Sequence, residues 1–379
     1  MKQLYFDYAA ATPVSTVVQA AMAPYLTDNF YNPSALYLNA LNVKKLLDAA
    51  RQDVAGILGA KASEIIFTAG GTEANNLAIQ GIMRNYSDSN CIVSSIEHES
   101  VLLPADLFYS KQAPVKPDGR IDVNQLVKLI DSKTVLISVM YASNEIGTVQ
   151  PLSEISKRIK EIRRSRQKSG NHLPLVLHTD ACQAPNYLPL IVNTLGVDMM
   201  TLNGSKIYGP KQSGVLFVHS GIGLQPFILG GGQERNLRSG TQNVAGSIGF
   251  AAALVEAQGL REAESIRLKE LQQEFIIKLS KQLPKAVVNG SLQYRLPNNL
   301  HLTIAGMDNE WLMMSLDERG CMVATGSACS ASSDEPSHVL KAIGLSDTLA
   351  HSSLRISMGR KTNRKAVNTL LQHLVDLAG

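Results

Sequence analysis

Short apolar runs alternate with stretches of helical spacing through the first two thirds of the chain. These runs are rich in β-branched residues, which is typical of buried strands. In chain order they span residues 64–68, 91–96, 135–141, 173–178, 197–202 and 214–218. Strands that alternate with helices predict an α/β domain with a mainly parallel sheet flanked by helices.

The pattern changes beyond residue 250. Apolar residues recur at helical spacing and predict one long helix over residues 251–283. Short strands at 300–304, 321–324 and 354–358 and a final helix at 365–377 then predict a smaller α+β domain. We therefore expect a large domain over residues 15–255 and a small domain built from residues 1–14 and 256–379.

Composition limits the possible functions. The 379 residues are 45% hydrophobic and 18% charged, which is enough for a large core. The net charge of +4 is small and spread along the chain, so we expect no direct nucleic-acid binding. No apolar run approaches the length of about 18 residues that a membrane helix needs.

Cysteine usage and the chain start bear on compartment. The cysteines at 91, 182, 321 and 329 form neither a CxxC pair nor a Cys/His cluster with metal-ligand spacing. We therefore expect no metal site and a reducing compartment. The first residues lack the basic start and apolar core of a signal peptide, which predicts a cytoplasmic protein. A chain from which a transit peptide had been removed would look the same.

Polar motifs follow four of the predicted strands. They are Gly70-Gly71-Thr72, Glu97-His98-Glu99, Asn144-Glu145 and Asp180. Ligands of open α/β sheets bind outside the carboxyl ends of the strands. One site could therefore collect all four motifs.

Lys206 follows Asp180 by 26 residues, and this pair indicates bound pyridoxal phosphate. The cofactor needs a lysine for a Schiff base and a carboxylate that keeps its ring nitrogen protonated. The alternative for Asp180 is a residue that caps a loop.

Two of the strand-end motifs suit other parts of such a cofactor. Gly71 and Thr72 precede a helical run and predict a phosphate cradle of backbone N–H groups; a glycine-rich turn with Thr72 as N-cap is the alternative. His98 could stack on a planar ring, but a histidine after a strand is often structural.

Two further residues have the chemistry of a reaction site. Cys329 lies among small and polar residues that predict a mobile exposed loop over about 324–337, where a thiol can act as a nucleophile or be incidental. Cys91 and Cys182 are expected to be packed residues. Arg355 alternates with apolar neighbours, and its planar fork suits a substrate carboxylate or a structural salt bridge.

Ordered motifs over nearly the whole chain also resemble one family. The chain is similar to cysteine desulfurases of the NifS/IscS type, in the class V aminotransferase group of fold-type I pyridoxal-phosphate enzymes. The matching stretches lie at residues 5–13, 67–76, 97–101, 144–147, 180–183, 230–241, 326–330, 335–340 and 354–360.

The resemblance implies an activity and roles for individual residues. L-Cysteine would become L-alanine while its sulfur passes to Cys329 as a persulfide, with His98 as a candidate for proton transfer. The implied cofactor contacts are Lys206 as Schiff-base lysine, Asp180 at the ring nitrogen, Gln183 at the ring hydroxyl, His98 on the ring face, and Gly71, Thr72 and a homodimer partner's Thr241 at the phosphate. Asn144 and Arg355 would hold the substrate carboxylate.

One of three departures from the family pattern lies beside Lys206. Asn203 and Ser205 stand where a serine and a histidine usually contact the phosphate, and both can still donate hydrogen bonds. A selenocysteine lyase or another class V enzyme would keep Lys206, Asp180 and Arg355 without needing Cys329, and a non-catalytic scaffold is a further alternative. The expected sulfur acceptors are iron–sulfur scaffolds or tRNA-thiolation carriers.

Overall fold

The computed structural model describes residues 3–326 and 335–379. The strands in these ranges are β1 (Leu4–Tyr5), β2 (Ile65–Thr68), β3 (Asn90–Ser94), β4 (Tyr109–Ala113), β5 (Thr134–Ser138), β6 (Val176–Asp180), β7 (Met199–Asn203), β8 (Gly214–Val218), β9 (Ala286–Val288), β10 (Asn299–Ile304), β11 (Cys321–Met322) and β12 (Ser353–Ser357). The helices are α1 (Thr16–Met22), α2 (Leu38–Leu58), α3 (Gly71–Met83), α4 (Glu99–Asp106), α5 (Val123–Leu129), α6 (Leu152–Lys168), α7 (Val192–Leu195), α8 (Val244–Gln282), α9 (Asn309–Glu318), α10 (His338–Ala342), α11 (Asp347–Ala350) and α12 (Arg364–Ala378).

A seven-stranded sheet forms the centre of the first part of the chain, in the order β2-β8-β7-β6-β5-β3-β4. Its strands are parallel except for β8, which runs antiparallel to both β2 and β7. Apolar clusters cover both faces, so strands such as β3 and β5 are buried along their whole length. The predicted α/β architecture with a mainly parallel sheet is confirmed.

All six predicted strands of this sheet are present, displaced by at most a few residues. The sequence pattern missed β4, which lies at the sheet edge and is only partly buried. The sequence of β4, Tyr-Ser-Lys-Gln-Ala, lacks the continuous apolar run that marks a strand covered on both faces.

The remaining elements build a second apolar core. Helix α8 leaves the sheet region and leads to β10, which pairs antiparallel with β9 and β12. Phe6 also packs into this core, because β1, near the amino terminus, pairs with β11. Shared packing of Phe6 with side chains from residue 268 onward supports the expected division into residues 15–255 and residues 1–14 with 256–379, which stays a prediction.

Parallel pairing brings several polar residues to one edge of the sheet. Asp180 ends β6 and Asn203 ends the neighbouring strand β7. Within the described ranges, no helix is long and apolar enough to cross a membrane. The same residues hold no cluster of three or more His, Cys, Asp or Glu side chains that could bind a metal ion.

Candidate active site

A cleft opens at this edge of the sheet. Most of the site residues expected from the sequence line it. They are Gly71, Thr72, His98, Asn144, Asp180, Gln183, Asn203, Lys206 and Arg355. Ser205 instead lines a neighbouring cleft that shares Gly71, Thr72 and Asn203. Thr241 is exposed and lines neither cleft, and Cys329 lies outside the described residues.

The carboxylate of Asp180 is held by two donors. The Asn75 side-chain amide donates to Oδ2 at 2.7 Å, and the Cys182 backbone N–H donates to Oδ1 at 2.9 Å. Asn75 is in turn fixed by its hydrogen bond to the Ser100 hydroxyl at 2.9 Å. The sequence allowed Asp180 to be either a loop cap or a cofactor-binding carboxylate. In the structure it caps the turn after β6 and also presents a fixed carboxylate to the cleft.

Burial disfavours the charged forms of two neighbours of Asp180. Burial, together with the charge of Asp180, raises the pKa of Glu97 well above its usual range, and Glu97 accepts the Met140 backbone N–H at 2.6 Å. Burial lowers the pKa of His178 to about 4, and this ring lies between the hydroxyls of Ser138 and Thr201. His178 therefore adds no charge beside Asp180 near neutral pH, and the charged form of Glu97 is disfavoured.

Lys206 lies in the single turn of 3₁₀ helix that follows β7. Its Nζ donates to the backbone carbonyl of Ala10, which brings the start of the chain into the cleft wall. Gln183 donates to the neighbouring carbonyl of Ala9 at 2.9 Å. The amine of Lys206 and the amide of Gln183 thus reach the same cleft from adjacent turns.

The amino terminus of α3 opens onto the cleft. The helix begins at Gly71 after Gly70, so Thr72 lies inside the helix and is not its N-cap; among the described residues, no side chain caps this end. A Cβ at Gly71 would lie 2.7 Å from the Cys182 sulfur and 3.4 Å from the Asn203 amide nitrogen. The bare backbone therefore leaves its first N–H groups accessible, and such helix starts attract anions.

The three residues of the motif at 97–99 lie in different surroundings. His98 is the N-cap of α4, where its Nδ1 accepts the Ser100 backbone N–H at 3.1 Å, and its ring lines the cleft. Glu97 is fully buried, and Glu99 begins the helix. Of the motif at residues 97–99, only His98 reaches the cleft.

Arg355 is buried in β12 yet contributes to the cleft wall. Its Nη2 donates to Asp7 Oδ1 at 2.7 Å, and its Nη1 approaches the Asn144 carbonyl at 3.5 Å. The sequence left two possibilities for Arg355, binding of a substrate carboxylate or a structural salt bridge. The structure contains the salt bridge with Asp7, and Arg355 also lines the cleft.

Asn203 and Ser205 interact with each other. The Asn203 side-chain carbonyl accepts both the backbone N–H and the hydroxyl of Ser205, each at 3.1 Å. The Asn203 amide nitrogen is left beside Gly71, within van der Waals distance of the space that a side chain on that glycine would fill. Asn203 can therefore donate toward an anion at the start of α3, whereas Ser205 faces the neighbouring cleft.

Three residues in or beside the cleft make contacts that the sequence did not specify. Asn75 holds Asp180, Asp7 pairs with Arg355, and the Cys182 thiol packs against Gly71. The role of Asn75 could have been inferred from the sequence, because it is a polar residue on the buried face of α3, one turn after Gly71. The pairing of Asp7 could not, since its partner lies 348 residues away in the chain.

The cleft fits a flat phosphorylated cofactor. Its wall offers an amine at Lys206, a carboxylate at Asp180 and an uncapped helix start at Gly71. The Asn75 side-chain oxygen is buried without a hydrogen-bond partner among residues 3–326 and 335–379, so the polar wall beside Asp180 is incompletely paired. Amine, carboxylate and anion site are the three groups that such a cofactor requires.

Comparison with known proteins gives a consistent result. The family model for "Aminotransferase class-V" matches residues 4–370. Cysteine desulfurase IscS of Dictyoglomus turgidum is 40% identical over 98% of this chain and 94% of its own length. The IscS of Methanosarcina thermophila is 39% identical over 98% of this chain and 91% of its own length.

Solved structures agree with these relatives. A structure described as a NifS-like protein superposes with a TM-score of 0.90 at 29% identity, covering 99% of both chains. The chain therefore has the fold of NifS-like proteins along its whole length.

Proposed function

This chain belongs to the class-V aminotransferase family and is a cysteine desulfurase, and from that premise we propose that it acts through pyridoxal phosphate and Cys329. The observation that carries the proposal is the meeting of Lys206, Asp180 and the start of α3 in one cleft. These groups match the amine, carboxylate and phosphate contacts that this cofactor needs.

Each part of the cofactor has a proposed partner in the cleft. Lys206 would carry it covalently, Asp180 would pair with the ring nitrogen, Gln183 would bond the ring hydroxyl, and His98 would cover one ring face. The phosphate would lie at Gly71 and Thr72, with Asn203 as an additional donor. When bound, pyridoxal phosphate supplies an electron sink for the pair released at the substrate α-carbon.

The substrate carboxylate is proposed to bind between Arg355 and Asn144. Arg355 has donors beyond the one that Asp7 occupies, and Asn144 is its neighbour in the wall. This grip would orient the α-carbon hydrogen toward the amine of Lys206. Lys206 would then take that proton and later return a proton to the carbon skeleton.

Sulfur transfer needs a second nucleophile. We propose that the Cys329 thiolate bonds to the substrate sulfur while that sulfur leaves the β-carbon. The electron pair of the broken C–S bond stays with the carbon skeleton, which takes up protons and departs as L-alanine. Cys329 retains the sulfur as a persulfide for delivery to an acceptor.

Changing Cys329 to alanine is expected to lower sulfide release from L-cysteine by about a hundredfold or more, because the nucleophile is missing. Sulfide and alanine are measured with a thiol reductant present. The matched control is Cys182→Ala. Burial, followed by the charge of Asp180, raises the pKa of the Cys182 thiol well above its usual range, so it is a poor nucleophile despite its place in the cleft.

The two cysteine variants together test the proposal. We expect the Cys182 variant to keep most of its sulfide release and the Cys329 variant to keep its bound cofactor. Full activity of the Cys329 variant would refute the nucleophile assignment. Loss of activity only in the Cys182 variant would instead identify Cys182 as the nucleophile.

A homodimer is proposed because Thr241 does not line the cleft of its own chain. It is exposed at the end of a loop that two ion pairs fix, Arg51 with Glu234 at 2.7 Å and Arg238 with Glu73 at 2.9 Å. Exposed apolar side chains lie elsewhere on the surface, including Phe30, Leu36 and Leu38. A second copy would cover such a surface.

The dimer proposal predicts the solution mass and a complementation result. Light scattering should give twice the mass of one chain. Mixed dimers of a Lys206→Ala chain and a Thr241→Ala chain should regain activity, because one of the two sites is then intact. A monomeric mass, or mixtures no more active than the separate variants, would contradict the proposal.

The sulfur acceptor is proposed from the names of the relatives, and the compartment is proposed from the cysteine pattern. The IscS name of the relatives supports an iron–sulfur scaffold protein, and tRNA-thiolation carriers are the second acceptor class. The cysteine pattern supports a reducing, cytoplasmic location. Transfer of radiolabelled sulfur from Cys329 to purified candidate carriers would distinguish the acceptors.

A further inference from the structure

Arg355 is only partly satisfied by its surroundings. Its side chain is 1% exposed, and its one short contact with residues 3–326 and 335–379 is the ion pair with Asp7. Nη1 reaches the Asn144 carbonyl at 3.5 Å, the limit of a hydrogen bond, and Nε has no partner in the described part of the chain. A buried guanidinium with unused donors beside a cleft is suited to receive a second acceptor.

The backbone of β12 fixes the position of Asp7. Residues 6–9 run alongside Ser357, two residues from Arg355 in the same strand. The Ser357 N–H donates to the Phe6 carbonyl at 2.7 Å, and the Ala9 N–H donates to the Ser357 hydroxyl at 2.9 Å. The Tyr5 hydroxyl also donates to the Asp7 carbonyl at 2.8 Å. Asp7 is therefore held in place independently of its bond to Arg355.

The Asp7 carboxylate has two physical effects on Arg355. Its oxygen holds one Nη and thereby sets the plane of the guanidinium. Its negative charge neutralises the guanidinium and repels any other carboxylate that binds there. The first effect favours binding of a substrate carboxylate, and the second opposes it.

We propose that Asp7 is a positioning residue that aligns Arg355 for the substrate carboxylate and keeps the affinity of Arg355 for that carboxylate low. This inference rests on the proposed role of Arg355 in substrate binding. A weak grip matters because substrate and product carry the same carboxylate. A stronger grip would bind both more tightly and would slow the release of L-alanine.

Two substitutions separate the effects. Asp7→Asn keeps an oxygen that can hold the guanidinium but removes the charge, whereas Asp7→Ala removes both. The probe is L-alanine, whose dissociation constant with the cofactor-loaded protein is measured by calorimetry. This binding measurement does not depend on turnover or on Cys329.

Opposite shifts are expected for the two variants. Asp7→Asn should bind L-alanine at least threefold more tightly, with a lower KM for L-cysteine and an unchanged or lower kcat. Asp7→Ala should bind L-alanine at least tenfold more weakly, with a higher KM. A merely structural aspartate would shift both variants in the same direction or neither of them, and either result would overturn the inference.

Two controls complete the experiment. Asp198→Asn alters another partly buried ion pair, with Arg163, at the opposite end of β7, and it should leave L-alanine binding unchanged. Arg355→Gln should greatly weaken L-alanine binding. If it does not, the proposed substrate role of Arg355 fails; if it does while the Asp7 variants do not move in opposite directions, only the inference about Asp7 fails.

Discussion

Replacing Lys206 with alanine is expected to lower alanine formation from L-cysteine on the order of ten-thousandfold, because in the proposed mechanism this one side chain supplies both covalent attachment and proton transfer. Its amine reaches the cleft wall at the Ala10 carbonyl. No other lysine lines this cleft among the residues that the structure describes. The variant should therefore keep the shape of the cleft but lose the amine that the proposed reaction requires.

The measurement for Lys206 uses two readouts. Alanine formation gives the rate, and borohydride treatment followed by mass analysis shows whether the cofactor is fixed to the protein. Lys211→Ala is the matched control, since this exposed lysine lines only the neighbouring cleft. Cofactor still fixed to the Lys206 variant, or activity lost equally in both variants, would contradict the assignment.

Changing Asp180 to asparagine is expected to lower the rate by about a hundredfold to a thousandfold through the loss of a fixed charge. The fold should tolerate this change. Asn75 can turn its amide so that its oxygen, which has no partner within the described ranges, accepts from the new side chain. The Cys182 N–H can still donate to the remaining oxygen. The loss should therefore be electrostatic rather than structural.

A swap of the two side chains provides the control for Asp180. The double variant with Asn75→Asp and Asp180→Asn keeps one carboxylate and one amide in contact but moves the charge to α3. We expect thermal unfolding near that of the unaltered protein and activity as low as that of the single Asp180 variant. Recovery of activity in the double variant would show that the location of the charge is unimportant.

The architecture could be predicted from the sequence because buried strands carry continuous apolar runs. Strand β8 was predicted at its observed bounds, Gly214–Val218, but its antiparallel direction was not. Direction depends on pairing with β2 and β7, and an apolar run is the same in either direction. The edge strand β4 escaped prediction for the related reason that its pattern is mixed.

The site was predictable where motifs follow strands and unpredictable where distant segments meet. Asp180 and Lys206 could be identified from strand ends and spacing, and His98 from its place after β3. Asp7 gains its meaning only from contact with Arg355 at the other end of the chain. The alternation around Arg355 indicated that its side chain faces away from the apolar side of the strand, but it did not indicate that β12 is buried along its whole length.

The contact between Asp7 and Arg355 also has a consequence for biosynthesis. The two residues are separated by 348 positions, so the first emerges from the ribosome long before the second. At roughly 5–20 residues per second, the interval is on the order of tens of seconds. For most of this time the amino-terminal strand β1 lacks its partner β11, and Arg355 has not yet been synthesised. A nascent chain can complete the central sheet, but it can assemble a working active site only after nearly the entire protein has been made.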